Sequence, residues 1–199
     1  MHGPAALSRI ASTPKKPLHW GLTDNKQAFT SVEVPPEHRA WVAGPVIQAQ
    51  HIPRERWPTN RKCTPRTRLR PWYKRLAMGD AWSVFLFMWI EFAVIQNALR
   101  TESKLSGFTL LNMIHLCDNR IVVHASQGSL YLHVDDLVIT HEDLGLVLSA
   151  LLILSSALRA VGFLVKVTWT HEVKKVIGLT TQCAGTVLAP ETERLGLLD

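Results

Sequence analysis

The chain has 199 residues with 22 Lys+Arg against 16 Asp+Glu, a net charge of +6, and 47% hydrophobic residues. That apolar share excludes a wholly disordered chain, and 11 Gly with 11 Pro excludes a collagen-like or low-complexity sequence. A chain of this length can bury a core without disulfides or a structural metal. Cys63, Cys117 and Cys183 stand far apart with no CxxC pair, so neither is written here, and an intracellular, reducing setting (nuclear or cytoplasmic) is expected.

The charge is unevenly spread. From His51 to Arg75 there are nine bases (Arg54, Arg56, Arg61, Lys62, Arg66, Arg68, Arg70, Lys74, Arg75) and one acid, Glu55, for a local +8 that leaves the rest at −2. One basic segment is carried on a nearly neutral body.

In chain order, residues 1–20 read as a flexible arm without the apolar core of a secretory signal. Asp24 stands at the start of a short strand. The alternation Val32, Glu33, Val34 predicts another strand, stopped by Pro35-Pro36. WVAGPVIQAQ predicts a strand pair around Gly44-Pro45. Pro53, Pro58, Pro65 and Pro71 then forbid a long helix across the basic segment and predict an extended, exposed connection.

Gly79 to Arg100 predicts a helix capped by Asp80 or Ser83, apolar nearly all round and therefore buried. A short strand is expected at Arg120 to His124. From Gly128, SLYLHV and LVIT flank Asp135-Asp136, a β-hairpin signature with the acids at the turn. Leu144 to Val161 predicts a second helix, closed by Gly162. FLVKVTW and KKVIGLT are further strand candidates. Val84–Ile95 and Leu144–Leu158 fall short of a spanning length and read as core helices, so no membrane partner is expected. Flotation with membranes would mark the other reading. The order predicts an α+β fold, an antiparallel sheet with helices packed on one face.

Asp135 and Asp136 are the informative pair. Two carboxylates held close among Leu132, Val134, Leu137, Val138 and Ile139 repel each other unless a cation neutralises them, and hard Mg²⁺ prefers such oxygens. The plain alternative is a polar hairpin turn, which also favours Asp. Asp24 from a neighbouring strand would make a third carboxylate, a set able to hold two metals for nucleotidyl transfer. The basic segment, carrying Trp57, Trp72 and Tyr73, suits a phosphate backbone with stacking on unpaired bases. A solvated loop or a nuclear-import patch has the same composition.

The series D-x-x-x-A-F, L-A-M-G-D-A-W-S, V-D-D-L, Gly-Phe and Ile-Gly, from Asp24 to Gly178, resembles the palm motifs of retroelement reverse transcriptases. Its MG-x-x-WS form resembles the tyrosine-recombinase lineages. The resemblance implies an RNA-directed DNA polymerase with a palm-like sheet and partial fingers, using two Mg²⁺ or Mn²⁺ ions. Its partners would be an RNA template, a DNA primer and deoxynucleoside triphosphates. It implies metal-ligand and catalytic roles for Asp24, Asp135 and Asp136, and nucleotide contacts for Phe29, Met78, Gly79 and Lys166. Ile177 and Gly178 would grip the primer. Phe29 would lie under the incoming sugar; as a bare residue it could equally be a strand-face aromatic.

Departures are His133 where an aromatic is usual two residues before the acids, Ala77 and Val84 where Pro is common, and a Lys166 that comes early. Residues 21–185 would form the palm-like domain, with the basic connection at 51–75. Residues 186–199 would start a linker toward a thumb in a larger polyprotein. A rival reading is a catalytically inactive remnant that binds nucleic acid through the basic segment.

Overall fold

The computed structural model describes residues 6–7, 10–11, 16–77, 81–113, 123–169, 175–177, 179–182 and 187–190. Met78, Gly79, Asp80 and Gly178, and residues 120–122 of the expected strand, lie outside them. The chain forms two compact units, Met1–Ala28 with Val84–Asp199, and Phe29–Ser83.

The strands are β1 (Ile10–Ala11), β2 (His19–Lys26), β3 (Ile47–Gln48), β4 (Arg68–Leu69), β5 (Thr109–Leu110), β6 (Val123–His124), β7 (Ser129–His133), β8 (Asp136–His141), β9 (Leu164–Trp169), β10 (Lys175–Val176), β11 (Leu179–Gln182) and β12 (Val187–Pro190). The helices are α1 (Ala28–Ser31), α2 (Ala81–Thr101) and α3 (Leu144–Ala160). The fold is α+β, built on a five-stranded sheet of order β5-β7-β8-β2-β9. Its neighbours are antiparallel from β7 to β9, and β5 adds a parallel edge, so the sheet is mixed where a purely antiparallel one is expected from sequence. Leaving out β5, the chain order is β-α-β-β-α-β, a split β-α-β arrangement.

Side chains alternate across a strand, and here each face has its own core. Leu130, Leu132, Leu137 and Ile139 pack with Ile95, Ala98, Val147, Leu151 and Leu154, so α2 and α3 cover one face. Tyr131, Val138 and Trp20 belong to a second core with Leu7, Leu111 and Val123, made by connecting segments on the other face. Gly21 lets α3 approach β2 closely: a Cβ there would lie 2.7 Å from Leu151 Cδ1.

Helix α3 follows its sequence signals. Asp143 Oδ1 accepts from the Gly145 N–H at 2.7 Å, and Gly162 at φ 98° closes the far end. There the Gly162 N–H bonds the Arg159 carbonyl and the Phe163 N–H that of Leu158, a Schellman motif.

Helix α2 departs from its expected burial. Among the described residues of the helix only the stripe Ser83, Phe87, Glu91, Ile95 and Ala98 is buried, at helical spacing, whereas Trp82, Phe85, Leu86 and Trp89 are exposed. The cause is coverage: a single sheet face can bury only one stripe of a helix. Ser83 lies inside the helix rather than capping it. Trp82–Thr101 is long and apolar enough to cross a membrane by length and composition.

Three expected strands are also corrected. Asp24 lies near the C-terminal end of β2, whose eight residues begin at His19. Residues Val32–Val34 form no strand; Glu33 makes an isolated bridge to Arg75. No hairpin turns at Gly44-Pro45. Pro36–Val42 is a 3-10 helix, begun where Pro35-Pro36 fixes the backbone, and β3 pairs with the distant β4.

Candidate active site

Three carboxylates meet at one end of the central strands. The β2–β8 register makes Asp24 the partner of Asp136, and the β7–β8 register makes His133 the other partner of Asp136. On the opposite side of β2, Asp24 is the partner of Lys166 in β9. Alternation places all four on the face away from the helices, because their neighbours Asn25, Leu132, Leu137 and Val165 are buried on the other side. Lys166, Asp24, Asp136 and His133 thus form a row across four strands.

Asp135 occupies the two-residue turn Val134–Asp135 between β7 and β8. Val134 has φ 55°, a left-handed conformation that a β-branched residue rarely adopts. Strain of this kind persists only where the surroundings hold it, and it concentrates at functional sites. Two contacts do the holding. The Asn25 N–H donates to the Asp135 carbonyl at 3.1 Å. On the β7 side, the Asn112 amide both accepts from the Leu132 N–H and donates to the Leu132 carbonyl, each at 2.8 Å. That side chain serves as a one-residue strand partner just before the turn.

The electrostatics are those of crowded acids. Burial, then the charges of Asp135 and Asp24, push the Asp136 carboxyl from 3.8 to about 6. Beneath the sheet lies a fourth carboxyl, Glu91 of α2, fully buried and hydrogen-bonded by Asn25 Nδ2. Burial, and next the charge of Asp135, push it up to about 9, so it is protonated at neutral pH. Among the described residues no three His, Cys, Asp or Glu side chains are arranged to enclose a metal ion as they stand.

No family model matches the chain, and no curated protein matches it. The site therefore rests on its own geometry.

The remaining candidates are dispersed. Phe29 is in α1 and half-buried, in a helical turn rather than on a strand face, and it belongs to the Phe29–Ser83 unit. Ile177, at φ 50°, lies in the turn between β10 and β11. All nine bases of the basic segment are exposed. Arg56, Arg61, Arg68, Arg70 and Lys74 line a groove of about 1060 Å³ with Trp72. The guanidinium of Arg54 lies 5.7 Å from the Trp57 ring centre, and Arg75 pairs with Glu33 at 3.3 Å.

The three aromatics of this segment divide by role. Trp57 Nε1 donates to the carbonyls of Ala49 and Ile52, so its ring fastens the loop. Trp72 and Tyr73 are 57% and 61% exposed and keep their rings available for stacking. No sequence pattern singles out Asn25 or Asn112, and Glu91 stands in the sequence only as an acid inside an apolar helix. A lone acid on the buried stripe of such a helix was the one signal on offer.

Proposed function

We propose that the chain is the palm portion of a retroelement RNA-directed DNA polymerase that extends a primer 3′-hydroxyl with deoxynucleotides. The observation that carries this reading is the pairing of Asp24 with Asp136 on the sheet face away from the helices, beside Asp135 in a strained turn. Three acids placed by two separate pieces of chain, with one of them protonating near pH 6, form a donor set that lacks positive charge. Hard divalent ions fit that deficit, and Asp24, Asp135 and Asp136 are the residues that would hold them. When bound, a pair of Mg²⁺ or Mn²⁺ ions activates the attacking hydroxyl and steadies the leaving pyrophosphate. Lys166, beside Asp24 in register and exposed, supplies a cation toward a phosphate on the same face.

Primer extension on an RNA template with Mg²⁺ or Mn²⁺ tests the reading. Incorporation by the native chain and its loss in Asp135→Asn are expected; equal incorporation by both proteins removes the catalytic assignment.

A second reading is a catalytically inactive nucleic-acid-binding remnant. The groove of the Phe29–Ser83 unit favours it, because it gathers five cationic side chains around an exposed Trp72 without needing the aspartates. It expects salt-sensitive binding that Asp135→Asn leaves unchanged, with no polymerisation.

A further inference from the structure

A buried acid near the aspartates has no place in the chemistry above. Glu91 is fully buried among apolar neighbours of α2, and Asn25, 2% exposed, donates its Nδ2 to Glu91 Oε1. Each of these side chains keeps one oxygen, Glu91 Oε2 and Asn25 Oδ1, without a hydrogen-bond partner among the described residues. Two orphaned acceptors on a pair already in contact are costly to bury, and one proton satisfies both. A carboxylic acid and a primary amide pair reciprocally: the amide N–H donates to the acid carbonyl, and the acid O–H donates to the amide oxygen. Protonated Glu91 has the O–H that this requires, in keeping with its raised affinity for a proton.

We propose that Glu91 and Asn25 form an acid–amide clamp through which α2 positions the Asp135 turn for divalent-cation binding. The path runs through the sheet. Asn25 faces the helix with its side chain, while its backbone N–H holds the Asp135 carbonyl at 3.1 Å. Fixing the side chain thereby fixes the strand end that restrains the turn, including Val134 at φ 55°. Glu91 is a positioning residue here, acting through Asn25. A leucine would fill the space without the desolvation cost, which makes a purely packing role a poor account of an acid at this point. The clamp rests on the reading of Asp24, Asp135 and Asp136 as a cation site only for its purpose, since its effect on the turn is separately measurable.

The test uses the full chain and three proteins: native, Glu91→Gln and Glu91→Leu. Amide hydrogen exchange at Asn25 reads the turn, and Mn²⁺ titration reads the site. Glutamine can pair reciprocally with Asn25, so Glu91→Gln should keep slow Asn25 exchange and a Kd within about twofold of native. Glu91→Leu should speed that exchange at least tenfold while the middle of β8 stays protected. Its Mn²⁺ Kd should rise about tenfold, the scale of losing a supporting contact to a metal ligand.

Native-like exchange in a folded Glu91→Leu overturns the clamp. So does fast Asn25 exchange in a folded Glu91→Gln, which keeps the proposal falsifiable if the leucine variant does not fold. Exchange that follows the clamp in a native chain that binds no Mn²⁺ overturns the cation purpose and upholds the clamp.

Discussion

Asp24 and Asp136 are direct cross-strand partners at one end of the two strands β2 and β8 of a five-stranded sheet, on the face away from the helices. Like charges directly opposite on a sheet destabilise it. Stability alone would not select this pair, so replacing one member tests what it is for. Asp136→Asn should raise the melting temperature by roughly 2–4 °C, corresponding to about 1 kcal/mol for a chain of this size. In the same protein, nucleotide incorporation should fall roughly a thousandfold, as expected if several kcal/mol of transition-state stabilisation goes with a metal ligand. A lower melting temperature would show that Asp136 serves the fold instead.

The two displaced carboxyl groups set a pH dependence whose sign is opposite to that of salt-bridged acids. Asp136, moved from 3.8 to about 6, and Glu91, moved from 4.5 to about 9, hold protons more tightly folded than unfolded. Their stabilising contribution is fully present below about pH 4 and is lost as pH rises, through about 6 for Asp136 and about 9 for Glu91. Urea midpoints at pH 5, 7 and 8.5 should therefore show Asp136→Asn losing less stability than native between the first two. Glu91→Gln should lose less between the last two. A native chain whose advantage over either variant grows with pH would contradict this assignment.

Gly21 carries a steric prediction. Its missing Cβ admits Leu151 and Val147 of α3, at 2.7 and 3.0 Å from where the atom would be. Gly21→Ala should cost about 1–3 kcal/mol through overpacking, even though alanine suits a strand better than glycine. Chemical denaturation measures it, and Leu151→Ala in the same chain should recover part of the loss. An unaffected Gly21→Ala would mean that α3 can shift outward freely.

The elements legible in the sequence are those whose local and tertiary signals agree. The β7–β8 hairpin shows an apolar run on each side of Asp135-Asp136, and α3 has Asp143 and Gly162 at its ends. Strand β2 was obscured because its helix-facing positions are Gly21, Thr23 and Asn25, polar or small for reasons that lie in α3 and Glu91. The Val32–Val34 alternation misled because a two-residue periodicity needs a partner strand, and Glu33 finds only a single bridge to Arg75. The aspartates could be named as a set from the sequence. Their support by Asn25, Asn112 and Glu91 depends on a register between segments as distant in the chain as Asn25 and Asp135, which no local pattern encodes.

The two tryptophans of the basic segment separate binding from folding. Trp57 donates its Nε1 proton to two backbone carbonyls, whereas Trp72 is 57% exposed at a groove lined by Arg68 and Arg70. If the groove holds single-stranded nucleic acid, Trp72→Ala should weaken binding by about 1–3 kcal/mol, the worth of one stacked base, at unchanged melting temperature. Trp57→Ala should lower the melting temperature of the Phe29–Ser83 unit, since two carbonyls lose their donor. Arg68→Ala with Arg70→Ala should instead flatten the dependence of log affinity on log salt by about 1.4 for the two lost phosphate contacts on a single strand. Fluorescence anisotropy of a labelled oligonucleotide between 50 and 300 mM salt, concentrations chosen to span the steep part of such curves, reads both effects. Native binding with no salt slope, or a Trp72→Ala indistinguishable from native, would assign these bases to solvation rather than to a polyanion.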